Sequence, residues 1–109
     1  MTDKELLEFA AKAAGIDLSS YEWRQEEYFA KGKYEETVIW DPLIDDGDAL
    51  RLSATLRLQV KPGKHKGDGC TVESKEAGVV GCTAFRDDPC EQMRRAIVMV
   101  AAGIGKAMP

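Results

Sequence analysis

Four groups of residues have the types and spacing to do chemistry. Asp41, Asp45, Asp46 and Asp48 crowd one short stretch, Trp40-Asp41-Pro42-Leu43-Ile44-Asp45-Asp46-Gly47-Asp48. Hard cations such as Mg²⁺ and Ca²⁺ prefer carboxylate oxygens, so a cation site is the first chemistry to weigh. The spacing lacks the alternating ligands and distant Glu of a calcium loop. Helix capping accounts for the run without a ligand, with Asp45 as the cap and Asp48 at the third helical position. The carboxylates also complement the positive end of the helix that follows. The second group is His65 with Cys70, Cys82 and Cys90. Three thiolates and one imidazole are an accepted zinc set, yet no two of these cysteines stand two to four residues apart, as structural zinc pairs do. Cys70 alternates with Val72, and Cys82 with Val80, which suggests small buried hydrophobes. Pairing Val72 with Val80 places Cys70 opposite Cys82.

The third group is the loop Lys61-Pro62-Gly63-Lys64-His65-Lys66-Gly67, with Arg94 and Arg95 further along. Lysines among glycines could grip a phosphate, though the loop lacks the Lys-Ser/Thr ending of a nucleotide-binding loop. A solvated hairpin loop explains the same residues. The fourth group is aromatic: Tyr21, Trp23, Tyr28, Phe29, Tyr34 and Trp40 hold six of the chain's eight aromatic rings. Some must enter a core, and others, with Trp23, Tyr28 and Tyr34 as candidates, offer contact area to a partner. Enzyme chemistry finds little here. Cys90 near a helix start could be a reactive thiol, but the single His sits in the Lys-rich loop with no triad around it. No enzymatic activity, metal or cofactor is expected.

The elements that position these groups follow from periodicity. Thr2 and Glu5 form a capping box, Leu6, Phe9, Ala10 and Ala13 recur at helical spacing, and Gly15 ends that helix. The span 16–40 reads as two strands joined by Ala30-Lys31-Gly32-Lys33, with Arg24-Gln25-Glu26-Glu27 as an exposed edge or a helical turn. A second helix runs from Asp45 to near Leu58, with Leu50, Leu52, Ala54 and Leu56 on its apolar side. A short strand over 58–61 breaks at Pro62-Gly63, and strands over 70–74 and 79–84 form a hairpin around Lys75-Glu76-Ala77-Gly78. The last helix has Asp88 as cap, Pro89 first and Glu91 in a capping box. Its stripe is Met93, Ile97, Val100 and Ile104, with Arg94 and Arg95 beside it. The predicted order is αββαβββα, an α+β fold in which three helices cover both faces of one mixed, mostly antiparallel sheet of about five strands.

Bulk properties agree with one folded domain over 1–109. The chain is 44% hydrophobic and 31% charged, ordinary values for a globular protein. A net charge of −4 argues against generic nucleic-acid binding, where clustered cations neutralise phosphates. No apolar run is long enough to span a bilayer, the start lacks a signal-peptide pattern, and the odd cysteine count suits reduced thiols.

Three blocks carry a family resemblance. The central one is Trp40-Asp41-Pro42-Leu43 followed by Asp45-Asp46-Gly47-Asp48-Ala49-Leu50-Arg51-Leu52. The others are Asp87-Asp88-Pro89 leading to Arg94-Arg95-Ala96-Ile97-Val98, and Glu5-Leu6-Leu7 with Ala10-Ala11-Lys12-Ala13-Ala14-Gly15. In these the chain resembles the phage ABA sandwich domain, a family of small phage and prophage proteins. It departs from that pattern in the longer segment from Glu22 to Glu36 and in the basic loop from Lys61 to Lys66. The resemblance implies an αβα sandwich of phage or prophage origin and implies no activity. The resulting expectation is a non-enzymatic phage accessory protein in the host cytoplasm. It would act through protein contacts, with itself as a homodimer or with a host protein, and not at a membrane. The alternative is a small-ligand or nucleic-acid module using Lys61, Lys64, Lys66, Arg94 and Arg95.

Overall fold

The helices begin at the residues expected to cap them. Helix α1 (Asp3–Ala14) starts at a capping box: Thr2 Oγ1 accepts from the Glu5 N–H, and Glu5 accepts from the Thr2 N–H. It ends where Gly15 turns left-handed at φ 73°, a conformation that costs glycine little. Helix α3 (Pro89–Ala107) is capped by Asp88, whose carboxylate accepts from the Cys90 N–H at 2.9 Å. The computed structural model from which these contacts come describes residues 1–32, 34, 36–65, 67–83 and 88–109. Lys33 of the expected turn, Lys66 of the basic loop, and Ala84 and Asp87 near the last helix lie outside the described residues.

The strands correct the predicted order. Three strands, not two, precede α2 (Asp46–Thr55): β1 (Glu22–Arg24), β2 (Glu27–Lys31) and β3 (Thr37–Trp40). They form one antiparallel sheet in that order. The ambiguous Arg24–Glu27 stretch is a tight hairpin, with Arg24 opposite Glu27 and only Gln25 and Glu26 between them. Both have positive φ, 52° and 63°, as a primed two-residue turn requires. Such turns normally announce themselves with Asn or Gly. Gln-Glu gives no such sign.

After α2 come β4 (Gln59–Lys61), β5 (Cys70–Ser74) and β6 (Val79–Thr83), a second three-stranded antiparallel sheet. The protein is therefore α+β, as expected, but among the described residues its order is αβββαβββα and its strands divide between two sheets. The hairpin register is also displaced by one residue from expectation. Val72 faces Gly81, while Cys70 faces Thr83 and Cys82 faces Thr71. A one-residue shift moves a side chain to the other face of the sheet. Cys70 is consequently buried and Cys82 exposed.

Helix α3 is the axis of the core. It lies against α1, β5, β6 and α2. Ala96, Ile97, Val98, Val100, Ala101, Ala102 and Gly105 are all buried, so far more than the predicted single stripe is covered. Small residues permit a close α1–α3 crossing. A methyl group on Gly105 would overlap the Phe9 carbonyl, and one on Gly81 would come within 2.8 Å of Val100. On α2 the buried residues are Asp48, Ala49, Leu52 and Ser53, while Leu50 is exposed, against the expected apolar side. Asp48 belongs inside because it is a tie: one oxygen accepts from the Asp41 N–H and the other from Arg51.

Candidate functional site

The candidate site is a cleft of about 490 Å³ between the β1–β2 hairpin, the Asp41–Ile44 turn and the start of α1. Its walls include Trp23, Gln25, Glu26, Glu27, Asp41 and Lys4. Trp23 is held from behind. Its ring meets Tyr28 at 4.8 Å between centroids and a 57° tilt, a tilted aromatic contact. The Tyr28 hydroxyl donates to Glu8 Oε1 at 2.8 Å, and Glu8 lies 3.6 Å from the Lys4 ammonium. Burial and that carboxylate push the Tyr28 phenol up to about 12, so it stays protonated and keeps donating.

The floor is Asp41. Its side chain accepts from the Leu43 N–H at 3.0 Å, closing a tight local turn ahead of α2. Only 3% of the residue is exposed. Burial pushes its carboxyl up to about 6, the backbone N–H of Leu43 pulls it down, and the charge of Glu27 pushes it up again. Glu26 and Glu27 bring two more carboxylates to the rim, whereas Lys4 contributes one ammonium. Asp3, which also lines the cleft, is held by Arg95 at 3.1 Å. The cleft is thus an acidic pocket with an indole in its wall. Carboxylates beside an aromatic face suit an organic cation, through charge pairing and attraction to the ring quadrupole.

The residues singled out from sequence fall in different places. Trp23 is half-buried and lines this cleft. Tyr28 is buried at 6% exposure, which corrects its assignment as a contact residue: it supports Trp23 from within. Tyr34 is 82% exposed in the β2–β3 connection. Lys61 pairs with Glu73 at 3.2 Å across β4 and β5, and Lys64 is exposed in the following loop.

Arg94 is nearly covered and works inside the fold. Its Nε donates to the Leu43 carbonyl at 2.9 Å and its Nη1 lies 2.6 Å from Asp46. Arg95 and Asp3 tie α3 to α1. The arginines therefore fasten α3 to α1 and to the turn before α2.

The other sequence groups also resolve. Asp45 caps α2 through the Asp48 N–H at 2.8 Å, as capping predicts. Cys70 is buried, Cys82 and Cys90 are exposed, and among the described residues no three His, Cys, Asp or Glu side chains converge as metal ligands would. Burial pushes the Cys70 thiol up, which disfavours the thiolate. Sequence reading missed Gln25, Glu26 and Glu27 as cleft residues; their signal was a charged stretch directly after Trp23. It also missed Gln92, which is buried and donates to the Asp68 carbonyl at 3.0 Å, anchoring the basic loop to α3.

Among the described residues no helix is long and apolar enough to cross a membrane. No protein family, curated protein or solved structure matches the chain.

Proposed function

We propose that this protein is a non-enzymatic protein-interaction module that receives a Lys or Arg side chain of a partner in the cleft beside Trp23. The observation that carries this reading is the grouping of Glu26, Glu27 and Asp41 around one half-buried indole. Its net charge of −4 favours approach of a basic partner. The family resemblance in the Trp40–Leu52 block supports a phage or prophage origin, and a host protein is the partner we propose. The alternative use of Lys61, Lys64, Lys66, Arg94 and Arg95 for phosphate draws less support, because Lys61, Arg94 and Arg95 are engaged by Glu73, Asp46 and Asp3.

The test is titration with a short Arg-rich peptide free of aromatic residues, followed by tryptophan fluorescence at low salt. The expected result is a saturable change that weakens roughly tenfold in Glu27→Gln and fades as salt rises. An acidic peptide of equal length should give no change. Absence of any response to the basic peptide at about 1 mM, an affinity no useful contact would fall below, would sink the reading.

A further inference from the structure

Asp41 stands apart from the other acidic residues of the Trp23 cleft. Glu26 and Glu27 reach its rim, whereas Asp41 is almost wholly enclosed and still lines it. Few groups compensate its charge. One side-chain oxygen accepts from the Leu43 N–H, and the Ile44 N–H, which also favours the charged form, is spent on the Asp41 carbonyl at 3.2 Å. Among the described residues no Lys or Arg pairs with this carboxylate.

The charges around it come from several elements and leave it short of a counter-ion. Glu27 on β2 and Asp48 on α2 both act on it, and Asp48 also accepts from the Asp41 N–H at 2.9 Å. Glu26 of the hairpin and Asp3 of α1 line the same cleft. The neighbouring cations are engaged by other carboxylates. Arg51 lies 2.6 Å from Asp48, Arg94 2.6 Å from Asp46, Arg95 3.1 Å from Asp3 and Lys4 3.6 Å from Glu8. His65 sits in the β4–β5 connection and is not part of the cleft.

An enclosed carboxylate in that company is relieved either by a proton or by a cation, and the two exclude each other. We propose that the cleft is a proton-linked clamp, which holds a basic side chain at neutral pH and releases it on mild acidification, with Asp41 exchanging the cation for a proton. This rests on the reading of the cleft as a cation site and adds its regulation. When a guanidinium enters, it supplies the missing counter-charge, and any proton on Asp41 passes to solvent. When the medium acidifies, Asp41 takes a proton back and the guanidinium loses its deepest partner. The carboxyl of the empty cleft titrates near 6, so the exchange falls between neutral and mildly acidic pH.

Isothermal titration calorimetry tests the linkage, using an Arg-rich peptide with capped termini and no other ionisable group. The wild type should bind at pH 7.5 and bind about tenfold more weakly at pH 5. Near pH 6, paired titrations in buffers of different ionisation enthalpy should show roughly half a proton released per peptide bound. Asp41→Asn has no proton to exchange and should bind with one affinity at both pH values. Glu27→Gln removes a charge that favours the protonated form, so its fall should move to lower pH. Circular dichroism should show an intact fold at pH 5, because protonation of Asp41 favours the folded state. Should Asp41→Asn not fold, proton release by the wild type decides alone. Equal wild-type affinity at both pH values, no proton released, or a fall that persists in Asp41→Asn would overturn the linkage and leave the cation site standing. No binding at either pH would remove both.

Discussion

The β1–β3 and β4–β6 sheets have equal strand counts and the same antiparallel order, yet they stand differently to the core. The second sheet lies directly on α3: Cys70 and Val72 are fully enclosed, and Gly81 leaves room for Val100. The first touches the helices through a few rings, chiefly Tyr28 and Trp40, with Trp23 behind them. Its other face leaves Ile39 46% exposed and Phe29 partly covered by the Arg24 guanidinium at 5.7 Å. Burial against a helix on one face is sufficient to stabilise a three-stranded sheet, and what remains can be shaped for contact. The β4–β6 sheet supplies the core. The β1–β3 sheet holds a cleft open.

The sharpest way to break this division is through α3. Gly105→Ala places a methyl into the Phe9 carbonyl, and the crossing of α1 and α3 cannot widen without disturbing Ala10, Ala101 and Ala102. A loss of about 3 kcal/mol or more is expected in urea unfolding, or no folded protein at all. A Gly105→Ala variant of wild-type stability would remove the close crossing from the account.

Asp41 gives the next effect, and its sign is diagnostic. The folded carboxyl titrates near 6 and an unfolded one near 3.8, so the folded state holds its proton more tightly. Below the lower value both states are protonated and the group costs nothing. As pH rises through that window the fold loses stability, reaching about 3 kcal/mol at neutrality as an upper bound. Asp41→Asn keeps an oxygen for the Leu43 N–H while removing the charge. It should therefore stabilise the protein by about 2 kcal/mol at pH 7 and leave it unchanged at about pH 3. Equal effects at both pH values would show that the buried charge is not the cause.

Trp23→Ala separates binding from stability. Because the indole is half-buried, about 1–2 kcal/mol of stability should be lost, well short of a core tryptophan. The Arg-rich peptide should lose at least about tenfold in affinity. The smallest effect belongs to the hairpin. Replacing Gln25-Glu26 with Asn-Gly relieves two left-handed residues and should stabilise the fold by about 1 kcal/mol, measured by thermal unfolding.

How much of this was legible depended on whether the signal was local. Thr2-Glu5, Asp45 and Asp88 act on N–H groups a few residues away, so each cap could be read from its neighbours. The β1–β2 turn was hidden because its geometry is imposed on Gln25 and Glu26 by strand pairing, not announced by residue type. The hairpin register was misread because Cys70 and Cys82 look alike in an alternating pattern, and Gly81 gave no hint that Val72 would face it. The division into two sheets depends on which edges remain unpaired, a long-range property that periodicity does not encode. The cleft was half visible. Trp23 and Asp41 were noticed separately, but only the fold brings them to one wall and floor.

Amide hydrogen exchange, followed residue by residue with and without the Arg-rich peptide, tests the central division most directly. Without peptide, β5 and the middle of α3 should exchange only through global unfolding, while β1 and β2 open locally at lower free energy. With peptide, β1 and β2 should slow and β5 should not change. Equal protection of both sheets, or a peptide effect located on β5 and α3, would contradict the account.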